Sequence, residues 1–402
     1  MKKLFFRALA AMIALLMSGV TASAEWLVTE ADLENIEKAA DVDAAVTIKA
    51  TAAILMERST GKVLFEANAD QQAPPASITK IMTLLLVMEA LESGKFKMET
   101  EVTASEHACS MGGSQIWLEP GETMTVNELL KATAIASAND ACVALAELVS
   151  GTEEAFVELM NRRAQELGMT NTVFKNATGL DAGGHLSTAR DIAVMSAELL
   201  KHDAIKEYST VWMDSLRGGK TELVNTNRLV RFYKGCTGLK TGSTDEAGCC
   251  LAAAAMRNGM ELISVTLGSP NTDARFDAAR KMLDYGFANF AVVQPPDVSD
   301  SLQPVPVVKG VEGYVQPVCD EPEKIVVNKG DEEKIEPRVT MLKSVEAPVE
   351  QGTKLGKVEV LLGGEVVSEY AVVAKKAVDR LTFASAFTAL MTETCRTSHT
   401  DY

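Results

Sequence analysis

The sequence holds few of the residues that metal centres and disulfide frameworks need. Its four histidines, His107, His185, His202 and His399, are scattered. The seven cysteines are Cys109, Cys142, Cys236, Cys249, Cys250, Cys319 and Cys395, with no C-x-x-C pair and no metal-type spacing. That pattern argues against a metal cluster, and no cofactor is implied. An odd count leaves at least one free thiol per monomer, and most of these cysteines read as small buried hydrophobes. Basic residues are also short: 39 Lys and Arg stand against 55 Asp and Glu, for a net charge of −16. This balance argues against nucleic acid as a partner and against a general attraction to anionic membranes, so an anionic substrate must be met by local cations. Beyond the N-terminus no apolar run is long enough to span a bilayer, and no internal repeat is present.

The composition that remains, 47% apolar and 23% charged over 402 residues, is that of a globular protein long enough for two domains. The first 24 residues stand apart. Lys2, Lys3 and Arg7 precede an apolar core shorter than a membrane span, then Ala22-Ser23-Ala24, which is the pattern of a cleavable secretory signal. The expected location is therefore outside the cytoplasm, at the outer face of the cytoplasmic membrane or secreted. An acidic, helix-prone leader occupies 25–44.

Two strands are predicted around a turn at Ser59-Thr60-Gly61-Lys62. The segment "APPASITKIMTLLLVMEALE", 73–92, reads as a helix entered through prolines, apolar all round and therefore central. Thr125-x-x-Glu128 forms a capping box opening another helix. Asn139 or Asp140 reads as the cap of the next, with Gly151 as its stop. Helices also fit "EEAFVELMNRRAQELGM" and "STARDIAVMSAELLKHDAIKEY". From Thr237 the pattern turns to strands, with Asn258-Gly259 as a tight hairpin turn, and "DARFDAARKMLDYGFANF" closes the region as a helix. A proline- and valine-rich break near 291 leads into an alternating stretch with a Gly363-Gly364 turn, read as a small all-β domain over 291–374. The tail, 375–402, carries Phe383, Phe387, Leu390 and Met391 at helical spacing.

Three short motifs carry chemistry. Ser77 and Lys80 lie one helical turn apart in S-x-x-K. Alone this says little, since Ser59 to Lys62 matches it equally and reads as a structural turn. The first copy differs in having Ser137-Ala138-Asn139 and Lys240-Thr241-Gly242 downstream. A serine hydroxyl needs a base to attack at neutral pH. Lys80 can supply one if its ammonium is desolvated or crowded by a cation such as Lys240. A helix N-terminus at Ser77 would favour developing negative charge.

Together the motifs resemble the signature of the penicillin-binding proteins and serine β-lactamases. With S-A-N in the middle position, and with "GLDAGGHLSTARDIA" and "GLKTGSTDEAG" around them, the chain is similar to the low-molecular-mass D-alanyl-D-alanine carboxypeptidases over about 45–375. The resemblance implies an α/β (α+β) fold: a β-lactamase/transpeptidase-like domain over 45–290, with an antiparallel sheet, helices on both faces and a helical subdomain. It implies an enzyme that removes the terminal D-alanine from peptidoglycan stem pentapeptides and is acylated by β-lactam antibiotics.

By the same resemblance Ser77 forms the acyl-enzyme, Lys80 is its base and Ser137 passes a proton to the leaving amine. Asn139 holds the substrate amide and Lys80. Lys240 and Thr241 meet the terminal carboxylate, Gly242 keeps the strand surface clear, and Ser77 and Ser243 provide backbone N–H groups for the oxyanion. Arg275 matches an arginine that relatives place near the carboxylate, with a surface helix arginine as the alternative. His185 reads as structural and Asp140 as a cap. A D,D-endopeptidase, a β-lactamase and a non-catalytic wall-binding protein are the alternatives on this fold. The tail resembles the family's amphipathic membrane anchor, implying a peripheral membrane contact, although its last residues are polar.

Overall fold

The computed structural model describes residues 46–320, 322–388 and 391. The expected signal and leader, and the end of the tail with Cys395 and His399, lie outside the described residues. The first two strands form one edge of a sheet: β1 (Ala52–Glu57), buried along its whole length, and β2 (Val63–Ala67) pair antiparallel. Their turn is the second S-x-x-K copy, and both of its key residues are engaged. The Glu57 carboxylate accepts from Ser59 Oγ at 2.9 Å and Thr60 N at 2.8 Å, while Lys62 Nζ donates to Val326 O at 3.1 Å.

The sheet is completed by β3 (Cys236–Thr244), β4 (Gly248–Arg257) and β5 (Met260–Ser269), in the order β2-β1-β5-β4-β3, all antiparallel. Asn258 and Gly259, at φ 50° and 78°, make the two-residue turn between β4 and β5. Positive φ at both positions matches the right-handed twist of the paired strands.

Side-chain alternation gives the sheet two buried faces. On one, α6 (Thr272–Asn289) lies so close that a Cβ on Gly286 would meet Leu262 Cδ1 at 2.5 Å and Leu55 Cδ2 at 2.9 Å. On the other, Ile54, Met56, Ile263 and Val265 join the main core with α1 (Lys80–Glu92) and α5 (Ala189–Leu199). Every residue of α1 from Lys80 to Met88 is buried. Each enclosed Leu, Ile or Met there contributes about 1.5–3 kcal/mol, so the helix beginning at Lys80 is an anchored axis.

The helical subdomain contains α2 (Val126–Ile135), α3 (Asn139–Ser150) and α4 (Glu153–Glu166). The Thr125–Glu128 capping box forms as expected, and Gly151 ends α3 at φ 86°. One long helix was expected over 187–208. Instead α5 stops at Leu199, and His202 takes extended backbone with its ring 2.7 Å from Glu92 before a separate short helix, Lys206–Ser209.

Phe290–Val293 leads into the all-β part, where Pro317–Cys319, Glu365–Ala374, Lys354–Leu362 and Ile335–Met341 form a four-stranded antiparallel sheet. The Gly363-Gly364 turn has φ 60° and 94°. Packing continues past 374: Val378 is buried in this core and bridges Val349, and Leu381 N donates to Lys309 O at 2.7 Å. Residues 375–381 thus belong to the all-β part rather than to a free tail. Beyond them 383–388 are helical. No helix among the described residues is long and apolar enough to cross a membrane.

Candidate active site

The chain reaches Ser77 through Pro74 and Pro75, and Ala76 takes φ 49°. That conformation costs an L-residue roughly 1–3 kcal/mol and persists only where its surroundings over-determine it. They do here. A Cβ on Gly179 would sit 1.9 Å from Ala76 O, and one on Gly242 would sit 2.9 Å from Ser77 N. Two glycines from distant segments therefore press on the backbone beside the serine. Ser77 itself lies in a 3-10 turn, Ala76–Thr79, that feeds α1, so the α-helix starts at Lys80 and not at Ser77.

Lys80 is fully enclosed. Its Nζ donates to Ser77 Oγ at 3.0 Å, to Asn139 Oδ1 at 2.6 Å and to the Thr178 carbonyl at 2.8 Å. Burial pushes its ammonium down to about 8 from the usual 10.5. Crowding by Lys240 was expected to be a cause, but the effect runs the other way. Lys240, also buried, is held well below the lysine range by burial first and by Lys80 next. Among the described residues its amine makes a single long contact, 3.4 Å to Thr241 O.

Ser137 forms the corner between α2 and α3 at φ 64°, and is buried. Asn139 is the first residue of α3, but neither it nor Asp140 caps the helix: the N-cap is Ala138, without a side-chain bond. The Asn139 side chain is committed to Lys80 and, through Nδ2, to Gly112 O at 2.6 Å. The Asp140 carboxylate instead takes backbone N–H groups from Ile116 and Leu118.

On β3, Thr241 Oγ1 donates to Thr226 Oγ1 at 2.7 Å. Arg275 is not a surface residue. It is buried, and its Nη1 donates to Ser243 Oγ at 2.9 Å and Gly242 O at 3.0 Å. His185 is enclosed behind the site. Its Nδ1 accepts from Lys175 N at 3.3 Å, so Nε2 carries the proton and donates to Thr79 Oγ1 at 2.9 Å. Burial pushes the imidazole down to about 4, and it is neutral.

The structure thus gathers Ser77 and Asn139 around Lys80 Nζ and sets Gly242 against the Ser77 backbone, with Ser243 and Arg275 joined at the next residue of the strand. Sequence reasoning missed the Thr178 carbonyl, Thr226 and the tethering role of Asp140. The six described cysteines are free, and the Cys142 thiol, pushed up to about 11 by burial, is uncharged beside Lys80. Among the described residues no group of His, Cys, Asp and Glu could hold a metal ion.

Residues 37–271 match the family described as D-alanyl-D-alanine carboxypeptidase. The chain belongs to that family. Residues 290–380 match a second family, described as the C-terminal domain of penicillin-binding protein 5. Among individual relatives, D-alanyl-D-alanine carboxypeptidase DacF of Bacillus subtilis is 46% identical over 332 residues, covering 82% of this chain and 85% of its own. The crystal structure of penicillin-binding protein 5 from Haemophilus influenzae superposes with a TM-score of 0.76 at 31% identity, over 83% of this chain and 98% of that one. Penicillin-binding protein D2 from Listeria monocytogenes, solved in its ampicillin-bound form, aligns with a TM-score of 0.55 at 32% identity, over 60% of this chain and 98% of that one. The two family matches, one over the peptidase domain and one over the all-β part, account for both parts of the architecture.

Proposed function

We propose that this chain is a serine-type D-alanyl-D-alanine carboxypeptidase that removes the terminal D-alanine from peptidoglycan stem pentapeptides through a Ser77 acyl-enzyme. The observation that carries the reading is the set of three acceptors around Lys80 Nζ. Asn139 Oδ1 and Thr178 O can only accept, so they keep two N–H bonds pointed at themselves in either protonation state. The third direction faces Ser77 Oγ. In the neutral amine that direction is the lone pair, aimed at the hydroxyl proton.

The reaction follows. Lys80 takes the proton as Ser77 Oγ bonds to the penultimate D-alanine carbonyl. Backbone N–H groups of Ser77 and Ser243 receive the oxyanion. Ser137 hands a proton to the amine of the leaving D-alanine and is reprotonated by Lys80, which returns to the neutral amine. Water then attacks the ester as Lys80 takes its proton, and Lys80 returns that proton to Ser77 Oγ as the shortened stem leaves. Lys240, Thr241 and the Arg275–Ser243 pair hold the terminal carboxylate, and Gly242 lets the substrate approach the strand. A β-lactam presents a strained amide and a carboxylate to the same groups, which supports stable acylation of Ser77.

The export pattern over 1–24 supports a location in the cell envelope. The exposed Phe383, Phe387 and Met391 support a peripheral membrane contact through the tail. D-alanine release from a synthetic pentapeptide tests the activity. It is expected from the wild type and lost in Ser77→Ala. Penicillin is expected to leave a mass adduct on the Ser77 peptide, and labelling that persists in Ser77→Ala sinks the assignment.

A further inference from the structure

The Asp140 carboxylate takes no part in the steps above, yet it ties α3 to the loop beside it. It follows Asn139 on α3 and is 1% exposed. Its oxygens accept from Ile116 N at 3.1 Å, Leu118 N at 3.0 Å and Ala141 N at 2.9 Å. Ile116 and Leu118 belong to the loop whose Gly112 and Ser114 carbonyls accept from Asn139 Nδ2 and N, at 2.6 and 2.7 Å. Two consecutive residues of α3 therefore stitch one loop to the site, the first through its carbonyls and the second through its N–H groups. Arg217 clasps the loop from its far side, 2.8 Å from Ile116 O, and is itself held by both oxygens of Glu122 at 2.7 and 3.0 Å. Between the two anchors Trp117 sits at φ 59°, a conformation that a bulky residue keeps only under such constraint.

We propose that Asp140 is a positioning residue for the reaction: it fixes the loop that orients Asn139, and it sets a buried carboxylate one residue from the carboxamide that holds Lys80. This rests on the reading of Lys80 as the base. The charged or titratable groups acting on Lys80 are Asp140 and Cys142 from α3, with Lys240 its neighbour from β3. The Cys142 thiol is neutral over the working range and Lys240 is a base, which leaves Asp140 as the anion that opposes burial. A base held near the working pH is the most effective one. Without that anion the amine would be neutral over a wider range but weaker, and Asn139 would lose its backing.

The test is the pH dependence of acylation by a fluorescent penicillin, alongside kcat/KM for a pentapeptide, from pH 5 to 10 on the full chain. Asp140→Asn is expected to move the acidic limb down by about one pH unit. It is also expected to lower the plateau about tenfold, because an amide cannot replace every acceptor contact of a buried carboxylate. Asp140→Glu keeps the charge while displacing the oxygens, so the plateau falls and the limb stays. Arg217→Gln loosens the loop with the Asp140 charge intact, and again only the plateau falls. A wild-type limb in Asp140→Asn, or a shifted limb in either of the other two variants, overturns the proposal. Should Asp140→Asn not fold, judged by its circular dichroism melt, the other two variants decide by whether their limbs move. A wild-type enzyme lacking any limb near pH 8 would instead refute Lys80 as the base.

Discussion

The carboxamide oxygen of Asn139 sits 2.6 Å from Nζ of Lys80, closer than the 3.0 Å between the same nitrogen and Ser77 Oγ. The tighter contact binds a proton that stays with the amine. The looser one is left for the proton that moves.

Because the neutral amine is the active form and burial brings Lys80 down to about 8, acylation should rise with pH through about 8 and level off above it. With an unperturbed lysine the rise would continue beyond pH 10. Stopped-flow acylation by a fluorescent penicillin at constant ionic strength checks this, and a rate still climbing at pH 10 contradicts it.

Gly242→Ala places a methyl group 2.9 Å from Ser77 N. The glycine has no special φ to lose, so the effect should fall on the cleft more than on the fold. Acylation is expected to drop about 100-fold, or roughly 3 kcal/mol of barrier, while the melting temperature falls only a few degrees. Equal loss of both would show that the contact is structural.

Removing the guanidinium in Arg275→Gln leaves Ser243 Oγ without its Arg275 donor and the Gly242 carbonyl with the Ser243 hydroxyl in place of two donors. We expect KM for the pentapeptide to rise about tenfold, the worth of about 1.4 kcal/mol of binding, with a smaller change in kcat. An ester lacking the terminal carboxylate should be insensitive to the change.

His185 gives a stability signature. Its folded ring stays neutral down to about 4, whereas the unfolded ring takes a proton near 6.5. The unfolded state therefore binds more protons between those values, and stability held above pH 6.5 is lost as pH falls towards 4. The maximum is about 3 kcal/mol. Urea unfolding at pH 4.5 and 7 should show a smaller difference for His185→Gln than for the wild type.

Truncation after Leu381 removes Phe383, Phe387 and Met391, which are at least half exposed. If these form a peripheral anchor, the truncated protein should move to the supernatant on membrane washing while D-alanine release is unchanged. A truncated form as membrane-bound as the full chain rules the anchor out.

Much of this was legible in the chain because it depends on side-chain identity at fixed spacing. Ser77, Lys80, Asn139, Lys240 and Gly242 announce themselves, as do the Thr125–Glu128 box and the two hairpin turns. The Thr178 carbonyl does not, since a backbone acceptor has no letter of its own. Asp140 was misread because an acidic residue at a helix start has the spelling of a cap, and only tertiary packing reveals that its partners lie at 116 and 118. The burial of Arg275 was equally hidden, because one charged residue in an amphipathic helix does not declare which strand it will cross. The two S-x-x-K copies were separable only by their company: Glu57 takes the Ser59 hydroxyl, and Lys62 fastens the all-β part.

Lys240, held low by its surroundings with one long contact, has a consequence for timing. A carboxylate seated beside it would favour the ammonium over the neutral amine. The positive charge so secured, acting on Lys80, would drive the second amine towards its neutral form. The substrate's own terminus would then arm the base that attacks it, and a peptide lacking that terminus would meet a less reactive enzyme.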